Sequence, residues 1–350
     1  MNNPALENIN VSSFELLPTP LQIHADLPQT PGTANAVARG RRAIERILDG
    51  EDRRLIAIVG PCSIHNLAAA SEYARRLAEL AEEIADTVFV VMRVYFEKPR
   101  SVLGWKGLIN DPYMNDTFRI EEGLRMARGF LLEVASLGLP AGTEILDALV
   151  PQYIGDLVSW SAIGARTSES QTHRELASGC SSPVGFKNGT DGSIQTAVNA
   201  MRSALDSHHF LGVTPDGLPA VFTTTGNPYP HLVLRGGKEP NYDSATIRRA
   251  SGLLAANGLP RSIIIDCSHA NSNKKAAMQA VVLDDILLQI QSGEDSIRGI
   301  MLESNLRPGA QPLPKDLAAL DPGVSVTDAC IGWEETAALL RRAAQALHGR

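Results

Sequence analysis

Eight short runs of β-forming residues recur along this chain, and each ends on or beside a side chain able to hold an anion or a metal. The runs are Leu55–Gly60, Val88–Tyr95, Pro140–Leu146, Trp160–Thr167, Pro183–Gly189, His231–Gly237, Ser262–His269 and Ile297–Asn305. At or near their C-terminal ends stand Cys62, Arg93 with Lys98, Glu144, Arg166, Lys187, Arg235, His269 and Glu303. Apolar residues at helical spacing follow nearly every run, in Leu67–Ala81, Glu121–Leu137, Gln152–Ser159, Ser170–Ser178, Ser193–Leu205, Ser244–Asn257, Lys275–Ser292 and Trp333–Leu347. This alternation predicts right-handed βα units, and eight of them close into an α/β fold of the (β/α)8 TIM-barrel type. The carboxyl ends of all eight strands then share one mouth, so residues far apart in sequence meet there.

Two segments fall outside the repeat. Residues 1–33 form a polar, proline-containing extension with a β-like stretch at Asn10–Phe14 and a Leu-Pro-Thr-Pro turn, and residues 34–350 form the barrel. A helix over Ala34–Leu48 precedes the first strand. Phe210–Val213 and Ala220–Thr224 flank a Thr-Pro-Asp-Gly turn and read as a β-hairpin inserted in the barrel, a candidate for regulation or subunit contact. Arg307–Gly323 has no periodicity and reads as a long active-site loop.

Composition narrows the function. At 350 residues, 44% hydrophobic and 20% charged, the chain has ordinary globular content. Its net charge of −7 supplies no overall field for nucleic acid or an anionic membrane. No apolar run is long enough to span a bilayer and no signal pattern opens the chain, which gives a cytoplasmic expectation. Four cysteines spread over this length read as reduced thiols.

The strand-end residues fall into two chemical sets. Cys62, His269 and Glu303, with Asp328 in Val326–Ala329, offer sulfur, nitrogen and oxygen donors suited to Mn2+, Fe2+, Co2+ or Zn2+. Against this stands the plainer reading of His269 as a core histidine and Glu303 as a surface charge; the joint placement at strand ends favours the metal. Arg93, Lys98, Arg100, Arg166, Lys187 and Arg235 form the second set. Guanidinium forks and ammonium groups at the ends of apolar strands predict a ligand carrying several negative charges. No glycine-rich nucleotide signature accompanies them.

The strings Gly60–His65, Met92–Pro112, Ala162–Glu175, Pro183–Gly192, Leu234–Tyr242, Asp266–Lys274 and Val326–Glu334 resemble those of the type I 3-deoxy-D-arabino-heptulosonate 7-phosphate synthases. The resemblance implies condensation of phosphoenolpyruvate with erythrose 4-phosphate on a metal-dependent barrel, with release of phosphate. It implies metal ligands Cys62, His269, Glu303 and Asp328. Phosphoenolpyruvate would fall to Arg93, Lys98, Arg166, Lys187 and Arg235, and the sugar phosphate to Lys98, Pro99, Arg100 and Ser101. Catalytic roles would fall to Lys98, Glu144, Lys187 and His269. Feedback by an aromatic amino acid would use Asp147, Gln152, Ser181, Phe210, Gly212 and Phe222, with Gly212 favouring tyrosine over phenylalanine and tryptophan as the rival. The arm and hairpin imply a homodimer or homotetramer. Competing readings are a synthase taking arabinose 5-phosphate, a metal-dependent aldolase that releases no phosphate, and a catalytically silent barrel that senses an amino acid.

Overall fold

A computed structural model of the protein describes residues 6–100, 103–314 and 316–349. Eight parallel strands close a barrel: β1 (Leu55–Gly60), β2 (Val88–Arg93), β3 (Ala141–Glu144), β4 (Trp160–Ile163), β5 (Val184–Lys187), β8 (Pro230–Leu234), β9 (Ile263–Asp266) and β10 (Ile297–Glu303). Their order around the barrel is β1-β10-β9-β8-β5-β4-β3-β2, so the first and last strands are neighbours. The hairpin β6 (His209–Val213) and β7 (Pro219–Thr223) stands apart as a two-stranded antiparallel sheet.

Strand alternation sorts the core into two layers. Along β1, Leu55, Ala57 and Val59 join the cluster shared with the surrounding helices, while Ile56 and Ile58 join the barrel interior. Both faces are covered, which is why these runs are almost continuously apolar. The interior cluster also takes in Trp160 and Val233, together with Ile44 and Ile47 from helix α2 (Pro31–Asp49), which covers the amino-terminal end of the barrel. Trp160 fits because the facing residues on β3 and β5 are glycines. A Cβ on Gly142 would lie 3.2 Å from its Cε3, and one on Gly185 would lie 2.7 Å from its Cζ2. The indole Nε1 donates to His231 Nε2 at 2.9 Å, satisfying both buried polar atoms.

The extension differs from the sequence reading. Asn10–Phe14 forms no strand. Instead, two Thr-Pro pairs start helices. Thr19 and Gln22 make a reciprocal capping box at α1 (Pro20–Asp26), and Thr30 with Thr33 makes one at α2, which therefore begins at Pro31 and runs across the 33/34 boundary. The helix expected over Gln152–Ser159 is shorter: α5 (Val150–Ile154) tightens into a 3-10 turn at Gly155–Leu157. The remaining helices α3 (Leu67–Glu83), α4 (Ile120–Ser136), α6 (Gln171–Gly179), α7 (Ile194–Leu205), α8 (Ser244–Ala256), α9 (Met278–Gln291) and α10 (Trp333–Ala346) follow the predicted runs, with α9 starting three residues later than expected. Among the described residues no helix is long and apolar enough to cross a membrane.

Candidate active site and metal centre

Strand register builds the centre. Gly60 on β1 pairs with Glu303 on β10, so Cys62, two residues past β1, arrives beside the Glu303 carboxylate. Asp328 approaches from the last loop, with its Oδ2 3.7 Å from Cys62 Sγ. One donor atom from each of Cys62, Glu303 and Asp328 falls within 4.8 Å of the others. His269 is not part of that threesome but borders it, its Nε2 3.8 Å from Glu303 Oε1. A thiol, two carboxylates and an imidazole at this spacing fit a borderline divalent transition metal better than Mg2+ or Ca2+, which prefer oxygen throughout.

His269 is held for such a role. Its backbone is left-handed, at φ 53°, a conformation uncommon for a side chain of this size. Its Nδ1 lies 2.9 Å from Asp266 Oδ2, an arrangement that fixes the tautomer and turns Nε2 towards Glu303. Asp266 also accepts from Lys187 Nζ at 3.0 Å and from the Ser268 hydroxyl at 2.6 Å. Burial pushes the Asp266 carboxyl up, but His269, Lys187 and Ser268 outweigh it and hold the group well below the usual range. Sequence reasoning assigned Asp266 no role. Its signal was the one used for its neighbours, a charge closing an apolar strand.

The cations line the same mouth. Arg93 is fully buried; its Nη2 donates to Glu303 Oε1 at 2.9 Å and its Nε to Pro61 O at 3.1 Å, while Nη1 has no partner among the described residues. Lys98 Nζ lies 3.1 Å from Cys62 Sγ and the same distance from Cys62 O. Burial pushes the Cys62 thiol up and Glu303 adds to this, against a smaller pull from Lys98 and Arg93. For Glu303 burial acts upward too, but His269, Arg93 and Lys98 prevail and lower its pKa. Arg235 has its backbone N–H held by Asn188 Oδ1 at 2.9 Å, and its guanidinium has no ion-pair partner among the described residues. Asn188, Asn241 and Asn271 are buried and cross-link the ends of β5, β8 and β9, with Asn271 donating to both Leu234 O and Asp266 O.

Not every expected residue joins this cluster. Arg166 and Arg100 are exposed, with Arg166 Nη1 reaching Pro99 O at 3.5 Å and Pro99 half-buried. Ser101 lies outside the described residues. Glu144 ends β3, half-buried, in space left by Gly164, where any Cβ would collide with its carboxylate.

A second cavity, of about 860 Å3, lies between the barrel wall, α2, α5 and the hairpin. Gln152, Ser181, Phe210 and Phe222 line it; Asp147 and Gly212 do not, and Glu144 does. Phe210 and Phe222 stack across the hairpin with ring centroids 5.8 Å apart. Asp147 is exposed and caps the next turn through Leu149 N.

Fold and site together define a βα-barrel enzyme that couples a candidate metal centre to a cationic mouth for anionic substrates. Residues 25–341 match the DAHP synthetase I family. The chain is 51% identical over its whole length to the Tyr-sensitive phospho-2-dehydro-3-deoxyheptonate aldolase of Escherichia coli (strain K12), covering 98% of that protein. It is 53% identical to the Phe-sensitive enzyme of the same organism, over 96% of this chain and 95% of the relative. The solved structure of phospho-2-dehydro-3-deoxyheptonate aldolase from Francisella tularensis SCHU S4 superposes with a TM-score of 0.94 at 44% identity, covering 97% of this chain and 98% of that one. The chain belongs to the DAHP synthetase I family.

Proposed function

We propose that this barrel condenses phosphoenolpyruvate with D-erythrose 4-phosphate and water, releasing phosphate, at the first step towards aromatic amino acids. The observation that carries this reading is the cluster of Cys62, Glu303 and Asp328 directly beside the buried Arg93 and the half-buried Lys98. Arg93 Nη1 has no partner among the described residues and the Arg235 guanidinium no ion-pair partner among them, so both are donors for the enol's carboxylate and phosphate, with Lys187, Arg166 and Lys98 completing the set. Lys98, Pro99, Arg100 and Ser101 take the sugar phosphate. Holding both substrates places C3 of the enol against the aldehyde, and positioning of this kind supplies a large part of the rate. A divalent ion held by Cys62, His269, Glu303 and Asp328 would supply Lewis acidity towards the aldehyde oxygen.

The C3–C1 bond forms as positive charge develops at C2. Glu144 and Lys187 position the water that adds there, and the C2–O bond to phosphate then breaks. His269 or Asp328 serves the proton transfer to the new hydroxyl. Phosphate release is measured with erythrose 4-phosphate and with arabinose 5-phosphate, before and after chelation and after adding back Mn2+. Turnover only with the four-carbon sugar and only with metal is expected. Release of phosphate from the five-carbon sugar would favour the rival synthase, and none from either would favour an aldolase or a sensor.

Tyrosine is the proposed feedback effector, at the 860 Å3 cavity: Gly212 stands behind the Phe222 ring that lines it, and the missing side chain, whose Cβ would lie 2.7 Å from that ring, leaves room for a ligand with a hydroxyl. Tryptophan is the competing ligand, and titrating phosphate release with each amino acid decides between them. Residues 1–33 are assigned as an arm and 34–350 as the catalytic barrel, in a homodimer or homotetramer. Phe14 and Leu16 on the arm and Leu211 and Val221 on the hairpin are exposed apolar groups that such an assembly would cover. Four free cysteines agree with a reducing, cytoplasmic setting.

A further inference from the structure

Tyr95 lies two residues beyond Arg93, and strand alternation puts both on the inside of the barrel. Its ring belongs to the interior cluster with Val91, Trp160 and Met301, and the Arg93 guanidinium carbon sits 3.6 Å from the ring centroid. The residue is 1% exposed, and its carbonyl accepts from Ile64 N at 2.9 Å, so the backbone is fixed as well. Its hydroxyl has no partner among the described residues, although the charges of Arg93, Glu144, Asp266 and Lys98 all act on it. Arg93 Nη1, on the side chain stacked over that ring, is unpaired too. Buried polar atoms are nearly always hydrogen-bonded, and leaving one unpaired is costly. Two such donors on a stacked pair, at the base of a mouth already lined with strand-end charges, mark the place of an oxygen that arrives with the ligand. Burial raises the phenol's pKa further, so the group remains a neutral donor.

We infer that the Tyr95 hydroxyl donates a hydrogen bond to an acceptor oxygen at the floor of the phosphoenolpyruvate site. Resting on the reading above, that oxygen belongs either to the substrate's anionic groups or to the water that adds at C2. Tyr95→Phe removes only the hydroxyl and keeps the ring under Arg93. Steady-state kinetics of the Mn2+-loaded enzyme, phosphoenolpyruvate calorimetry and thermal midpoints are compared with wild type. A midpoint equal to or above wild type is expected, because an unpaired donor is removed, together with a loss of roughly tenfold or more in one kinetic constant. A raised KM with weaker calorimetric affinity identifies a substrate oxygen; a lowered kcat at unchanged KM identifies the water. KM and kcat both within twofold of wild type would overturn the inference whatever the midpoint, and a higher midpoint with them would leave the hydroxyl a packing defect. Should the wild type release no phosphate, the activity reading falls, and calorimetry decides alone: equal affinities overturn the inference.

Discussion

The two ends of the barrel are built from the same strands and spend burial differently. At the carboxyl end, Arg93 pairs with Glu303 and Lys187 with Asp266, all fully buried. At the opposite end Trp160 meets His231 in a neutral hydrogen bond, among isoleucines and valines. Buried ion pairs contribute little net stability, whereas breaking one strands a charge. A neutral bond inside close-packed apolar side chains costs little to keep and adds to packing. One end is therefore chemistry maintained at the expense of stability, and the other is stability without chemistry.

Substitutions should separate the two ends. Cys62→Ser is expected to lower turnover on the order of a thousandfold, because Lewis acidity is worth several kcal/mol, and to leave the melting temperature near wild type. Phosphate release and metal content by atomic spectroscopy check this; full activity in the metal-depleted variant would remove the thiol from the mechanism. The opposite end should respond to acid instead. Burial pulls the His231 imidazole down from 6.5 to about 4, so the folded state favours its neutral form while the unfolded chain takes up a proton below pH 6.5. Stability is intact above that pH and falls as pH drops, by roughly 3 kcal/mol once pH reaches the folded value. Denaturant titrations across this range should give a flatter profile for His231→Gln than for wild type.

A smaller effect is expected from Gly185→Ala. The added Cβ would meet Trp160, Val233 and His231 within 3 Å, costing about 1–3 kcal/mol of stability while leaving the KM for phosphoenolpyruvate unchanged. A shifted KM would show that the two ends are mechanically coupled. Smallest of all, Gly212→Ser crowds Phe222 and should weaken tyrosine inhibition several-fold, by about 1 kcal/mol, with uninhibited kcat unaltered. An inhibition curve that does not move would detach the hairpin from the effector.

Much of the carboxyl end was legible because polar residues closing apolar runs are rare in an ordinary core. Cys62, Glu303 and His269 could be picked out one strand at a time, but their mutual distances depend on the β1–β10 register and on which strands are neighbours. Periodicity does not carry either. Asp266 is hard to single out in the sequence because Cys267, Ser268 and His269 follow it at once, and the histidine is the commoner transition-metal ligand. The amino-terminal end was harder to read: Trp160 and Gly185 look unremarkable apart, and only their contact across β4 and β5 gives the glycine its purpose. Asn10–Phe14 forms no strand because a β-like pattern needs a partner, and it has none among the described residues. The helix start at Pro20 falls in the Leu-Pro-Thr-Pro segment that reads as a turn, because Thr-Pro serves turns and helix caps alike; the start at Pro31 follows the same Thr-Pro pattern.

Cys62 and Glu303 come from the first and last barrel strands, adjacent in space and 241 positions apart by number. A nascent chain leaving the ribosome therefore exposes β1 with one edge unpaired until nearly the whole polypeptide has been made. Ring closure and assembly of the thiol–carboxylate centre become a single late event. Any truncation before β10 forfeits both together, so an incompletely synthesised product would be unable to acquire its metal at this site.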